Sequence, residues 1–300
     1  SLLHLSNTGG HGRGKQQGSI VGDVILKGRK EFWARPKLHY HHALRAGENT
    51  LNLQCLRVLL RSSIPDYSAD RFLTAYIDFM TTADTHQDTY AESFHRDFFA
   101  NWAKGKAAEE CAGVEDHNTA SVGGLVLLPP VLVKSMGDWL TIRTQLRLTH
   151  RSPKLEHYAE PVMGLLHKLL QQEHSANLRE QTLEATQPLG LRLSKLLNEA
   201  DRQNWQDQEV IGPIFSPACY IEHSVPSVLY LLAKYKTDAE QALIANTEAG
   251  GDNCHRGAIL GALLGAAGGT SVFPSRWIEQ LHDKTEILEE IEQFIEALRQ

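Results

Sequence analysis

The sequence predicts an all-α fold, and three observations predict it. Apolar residues recur at three- and four-residue spacing, as in Leu53, Leu56, Leu59 and Leu60, which turns one helix face toward a core. Helix starts are written into Thr50 and into Ser152 followed by Pro153, the residue types that cap and open a first turn. No alternating pair of segments joined by a hairpin turn stands out.

The totals bound what the chain does. Three hundred residues suffice for one large domain or two modest ones. With 42% hydrophobic and 22% charged residues, the composition is that of an ordinary globular protein. A formal charge of -6 and a pI of about 6.2 argue against a nucleic-acid partner, because phosphate binding needs a basic surface. The four cysteines, Cys55, Cys111, Cys219 and Cys254, are too few and too scattered for a disulfide framework, so reduced thiols in a cytoplasmic setting are expected. The small-residue run over 257–271 is shorter than the roughly 20 residues that cross a bilayer, so no membrane partner is expected.

In chain order, residues 1–47 lack a sustained helical period and are expected to be an irregular glycine- and histidine-rich segment lining a cleft, with a helical domain over 48–300. Gly9 to Lys15 has the spacing of a phosphate loop, but Gln16 stands where Ser or Thr would hold Mg²⁺, so a glycine loop without that role is expected. Thr50 caps a helix over 51–62, and the nearby His39, His41 and His42 make either hydrogen-bonded contacts or a metal site. Residues 68–99 carry aromatic stripes at helical spacing, with the stretch from His86 to Tyr90 opening the second of two helices. Asp116, His117 and Asn118 precede an apolar segment that Pro129 and Pro130 should break. A helix runs from Ser152 to about residue 172, an amphipathic stretch covers 176–206, and further helices cover 219–235 and 237–245. Two short charged helices close the chain.

The densest polar chemistry lies at Gly250, Gly251, Asp252, Asn253, Cys254, His255 and Arg256, just before a small-residue helix. That layout delivers polar groups to a helix N-terminus, where free N–H groups favour anions. Gly257, Gly261 and Gly265 leave one face of this helix nearly bare, which lets another helix approach it closely. Cys254 at the helix start is either a thiolate nucleophile or a buried, inert thiol. His255, His42, His117 or His223 is available as its base, with Glu48, Asp116 and Glu222 to orient that base and Asn52, Asn118 and Asn253 to donate to an oxyanion.

The segments ENTLNLQCLRVLLRS, THRSPKLEHYAEPVMGLL, YIEHSVPSVLYLL and GGDNCHRGAILGALLGAAGG, in that order, resemble the ADP-ribosylglycohydrolase superfamily, which includes the dinitrogenase-reductase-activating glycohydrolases and the lens J-crystallins. The resemblance implies a compact orthogonal all-α domain from about residue 40 onward. It also implies a hydrolase acting on ADP-ribosyl-type substrates, with two Mg²⁺ ions held by the starts of an early and a late helix that face each other. Thr50 and Asp252 match ligand positions of the family. Asn52 replaces an aspartate, whereas Leu51, Leu53, Cys254 and His255 stand where the family has hard oxygen ligands. Because Mg²⁺ requires such oxygens, Thr50, Asn52 and Asp252 are expected to hold at most one Mg²⁺. Catalytic candidates are Glu48, Asp252, Cys254 and His255; substrate-binding candidates are Asn52, Asp116, His117, Asn118, Glu222, His223 and Asn253. The expected function is a divergent hydrolase with a rebuilt site. The alternatives are a metal-independent Cys–His enzyme, or a non-catalytic ADP-ribose binder or crystallin-like structural protein.

Overall fold

A computed structural model describes residues 20–34, 39–115, 119–172 and 177–299. Its helices are α1 (Lys30–Ala34), α2 (Leu51–Ser62), α3 (Ala69–Thr81), α4 (Ser93–Trp102), α5 (Gly123–Val126), α6 (Pro129–Lys134), α7 (Trp139–Thr149), α8 (Pro153–Leu170), α9 (Leu178–Ala185), α10 (Leu193–Gln203), α11 (Asp207–Val210), α12 (Ile221–Tyr235), α13 (Ala239–Glu248), α14 (Asn253–Gly268), α15 (Ser275–Glu279) and α16 (Lys284–Glu296). Among the described residues β structure is confined to isolated bridges, such as Ser121 with Tyr220 and Gly113 with His150. No helix among them is long and apolar enough to cross a membrane.

The chain folds into two compact units. The first comprises Ser1–Thr119, Thr144–Arg151 and Gln280–Gln300; the second comprises Ala120–Arg143 and Ser152–Glu279. In the first, α2 packs on α3 and α16 around Phe72, Tyr76, Phe98 and Phe99, each fully buried. Tyr76 meets Phe98 edge-on at 5.2 Å between ring centroids, a geometry that suits the ring quadrupoles. In the second unit α12 is the hub, touching α8, α9, α10, α13 and α14. Its residues 224–233 are all buried, because a helix surrounded by others is apolar all round.

Sequence signals set these elements where they were strongest. Ser152 Oγ accepts from Leu155 N–H at 3.1 Å, with Pro153 at the first helical position of α8. Pro129 and Pro130 open α6, and the helical path from α5 breaks at 127–128, since proline lacks the N–H that would continue it.

One expectation is corrected and another holds in part. Residues 86–92 do not open a helix; they run as coil, and α4 starts only at Ser93. The glycine face of α14 is closely approached in part: a Cβ at Gly257 would lie 3.1 Å from Asn246 Nδ2 of α13 and one at Gly265 3.3 Å from Phe273, whereas one at Gly261 would meet nothing within 4 Å. The buried side of the helix is formed by Ile259, Leu260, Leu263 and Leu264.

Candidate functional site

Three loops converge in the second unit. Backbone bonds from Val122 N–H to Cys219 C=O (2.9 Å) and from Ile221 N–H to Ala120 C=O (3.0 Å) join residues 120–122 to the segment that enters α12. From the same segment, Pro217 C=O accepts the N–H of Asp252 at 2.8 Å and Nη1 of Arg256 at 2.7 Å. Residues 120–122, the entry to α12 and the loop before α14 are thereby tied to one another. Gly251 permits this closeness: it has φ +62°, and a Cβ there would sit 2.0 Å from Pro217 O, so only glycine fits.

Arg256 is the tie. It is fully buried, and its guanidinium donates to Pro217 O, to Asn246 Oδ1 at 3.1 Å and to Gly250 O at 2.6 Å. One planar fork thus holds carbonyls on both sides of the Asp252 loop. Asp252 itself precedes α14. Its Oδ1 lies 2.7 Å from His255 Nδ1, whereas Oδ2 is buried and has no hydrogen-bond partner among the described residues. Burial pushes this carboxyl up, but the charge and hydrogen bonding of His255 and the charge of Arg256 outweigh it and hold it below the usual range. Asp252 is therefore an ionised carboxylate with one buried oxygen that has no partner among the described residues.

The other candidates of this unit are placed as follows. Cys254 is partly exposed, with Sγ 3.5 Å from Asn253 Oδ1. Asn253 bonds inward, Nδ2 donating to Thr247 O at 3.2 Å. Glu222 Oε1 takes Lys154 Nζ at 2.6 Å, while Oε2 is buried without a partner among the described residues. His223, half-buried, lies in the first turn of α12. Asp116, His117, Asn118 and the glycine loop of 9–15 lie outside the described residues.

A second polar centre occupies the first unit, and its anchors are residues the sequence reading did not select. Thr50 precedes α2 without capping it. The Leu51 N–H goes instead to Asp88 Oδ2 at 2.8 Å, and Thr50 Oγ1 is buried with no partner among the described residues. Asp88, wholly buried, also takes His41 Nδ1 at 2.9 Å. Burial raises its pKa, but His41 and the Leu51 N–H more than reverse that, and the carboxyl ends below its ordinary value. His42 bonds Thr89 Oγ1 at 3.0 Å, so both histidines serve hydrogen bonding. Among the described residues no group of three or more His, Cys, Asp or Glu is placed to hold a metal.

Asn52 belongs to a buried chain. Its Nδ2 donates to Glu92 Oε1 at 2.6 Å, its Oδ1 lies 2.9 Å from His95 Nε2, and His95 Nδ1 lies 2.5 Å from Tyr76 OH. The amide fixes the direction: His95 Nε2 donates to Asn52 and Nδ1 accepts from Tyr76. Glu48 Oε2 accepts from Arg45 N–H at 2.6 Å in the turn before α2.

Asp88, Glu92 and His95 escaped notice because they sit in coil and in an aromatic-rich helix rather than in a motif. Arg256 carried a signal that went unused: a lone charge opening a run that is otherwise glycine, alanine, isoleucine and leucine.

A carboxylate, an imidazole and a thiol thus stand together on a glycine loop at a helix start of an all-α fold. A sequence profile of the ADP-ribosylglycohydrolase family matches residues 13–300, and the chain belongs to that family. A solved structure described as an ADP-ribosylglycohydrolase-related protein complex is similar, with a TM-score of 0.56 at 21% identity over 82% of this chain and 78% of that one. At that identity the likeness is one of fold. No curated protein matches the sequence.

Proposed function

We propose that the protein hydrolyses ADP-ribosyl or related N-glycosyl bonds with Asp252 as the working carboxylate, at a site rebuilt away from a dinuclear Mg²⁺ centre. The observation that carries this reading is the buried, unpartnered Oδ2 of Asp252, on a carboxylate kept ionised by His255 and Arg256. Such an oxygen serves as an acceptor for a water or a sugar hydroxyl. Asp252 takes a proton from water as the new C–O bond forms at the anomeric carbon; the C–N bond breaks, the leaving nitrogen keeps the electron pair, and the proton held by Asp252 passes to that nitrogen, which returns the carboxylate. Glu222, His223 and Asn253 are proposed to contact the substrate, as are Asp116, His117 and Asn118.

The residues do not fit a pair of Mg²⁺ ions. Leu51 is a buried hydrocarbon, Asn52 is engaged at both ends of its amide, and Cys254 offers soft sulfur where hard oxygen is required. Among the family's ligand positions, Thr50 and Asp252 alone present unpartnered oxygens among the described residues. No step is therefore routed through metal.

Cys254 supports a second reading. It is half-buried in the first turn of α14, whereas Cys55 and Cys111 are buried, so a nucleophilic thiol there would be reachable.

Release of ADP-ribose from an ADP-ribosylated peptide tests both readings. Asp252→Asn is expected to lower kcat/KM by about a hundredfold or more, with Cys254→Ser mild; the reverse pattern favours the thiol, and Glu48→Gln asks whether a second carboxylate contributes. Thermal stabilisation by ADP-ribose without any turnover would instead mark a binder.

A further inference from the structure

The last helix carries a face that its own core does not use. Phe294 of α16 is buried, and Glu290 ties the helix to α2 through Arg57 Nε at 2.8 Å and Arg61 Nη1 at 2.6 Å. Asp283, at the helix start, adds Arg57 Nη1 at 2.6 Å. The helix is thus fixed on one side. Beside that side, Leu288, Ile291, Ile295 and Leu298 remain 48%, 41%, 41% and 42% exposed. Their steps of three, four and three residues form the seam by which one helix packs against another.

The chemistry along this seam selects the occupant. Each of the first three apolar residues is followed by a glutamate, Glu289, Glu292 and Glu296, all exposed and without an ion-pair partner among the described residues. The rim of the seam is therefore acidic, on a chain whose formal charge is already -6. A second copy would bring the same glutamates, and like charges beside a helical seam oppose pairing. An anionic membrane surface is disfavoured for the same reason, since membrane-lying helices place lysine and arginine on the polar face.

We infer that this face of α16 docks an amphipathic helix of another protein, apolar along one stripe and rich in lysine or arginine beside it. The apolar stripe supplies contact area, and the acidic rim supplies direction and selectivity.

The test uses the full chain and two synthetic three-heptad peptides. Both have leucine at the seam positions; one has lysine at the flanking positions and its twin has glutamate. Fluorescence anisotropy is expected to show the lysine peptide binding at least ten times more tightly than its twin, with the preference shrinking at high salt. Ile291→Asn with Ile295→Asn, at exposed positions that should leave the circular dichroism unchanged, is expected to abolish binding. Glu289→Lys with Glu292→Lys and Glu296→Lys is expected to reverse the preference toward the glutamate peptide. Failure to bind either peptide, or equal binding of both, overturns the inference. A dimer in sedimentation that Ile291→Asn and Ile295→Asn dissolve would also overturn it, by assigning the face to a second copy.

Discussion

His86 is neutral in the folded protein because burial and the nearby charge of Arg29 outweigh the pull of Asp88, bringing its pKa from 6.5 to about 4. Its protons bind more readily in the unfolded chain, so stability falls as pH drops from 6.5 toward 4 by roughly 3 kcal/mol in all, and is recovered above 6.5. Urea denaturation at pH 7 and pH 4.5 is expected to show a smaller loss in His86→Phe than in the wild type. Asp88 acts in the same sense at lower pH. Its folded pKa is depressed, so the stability it contributes is present above the unfolded carboxylate pKa and is lost as pH falls through the folded value. Arg256 is the other decisive residue. Arg256→Met leaves three bonded carbonyls and a buried carboxylate without their cation, and a loss of about 3–5 kcal/mol is expected in the same denaturation. Arg256→Lys recovers only part of it, because an ammonium cannot span the fork.

At the scale of elements, two glycines of the late motif have opposite physics. Gly251 has φ +62° and sits against Pro217, so Gly251→Ala distorts the loop and is expected to cost about 2–4 kcal/mol. Gly261 is mid-helix in α14 with open space beyond its Cα, so Gly261→Ala is expected to stabilise by about 0.5–1 kcal/mol. Paired melting curves separate the two, and equal effects would contradict the described loop. Helix α2 shows why an asparagine suits position 52. An aspartate there would set a carboxylate against Glu92, whose oxygen is 2.6 Å from the present amide. Asn52→Asp is therefore expected to destabilise by about 1–3 kcal/mol in urea denaturation at pH 7.

At the scale of the molecule, the helices were legible because their signals are local. The Ser152–Pro153 start, the paired prolines at α6 and the apolar stripes of α2 and α12 act within a few residues of where they are written. The late loop was legible as a candidate site because glycines, an acid, a thiol and an imidazole adjoin there. Illegible were the contacts that depend on distant segments: Asp88 reaching the start of α2, Glu92 and His95 enclosing Asn52, and Arg256 gathering carbonyls from 217 and 250. On α14 the glycine period marked close approach at Gly257 but not at Gly261, since small residues permit close approach without requiring it. The proposed activity rests on Asp252. Its most direct test is steady-state release of ADP-ribose from an ADP-ribosylated peptide by wild type and Asp252→Asn, each in EDTA and in Mg²⁺. The expected result is wild-type turnover that persists in EDTA and falls about a hundredfold or more in the variant; turnover that requires Mg²⁺ bound at two ions per chain would contradict it.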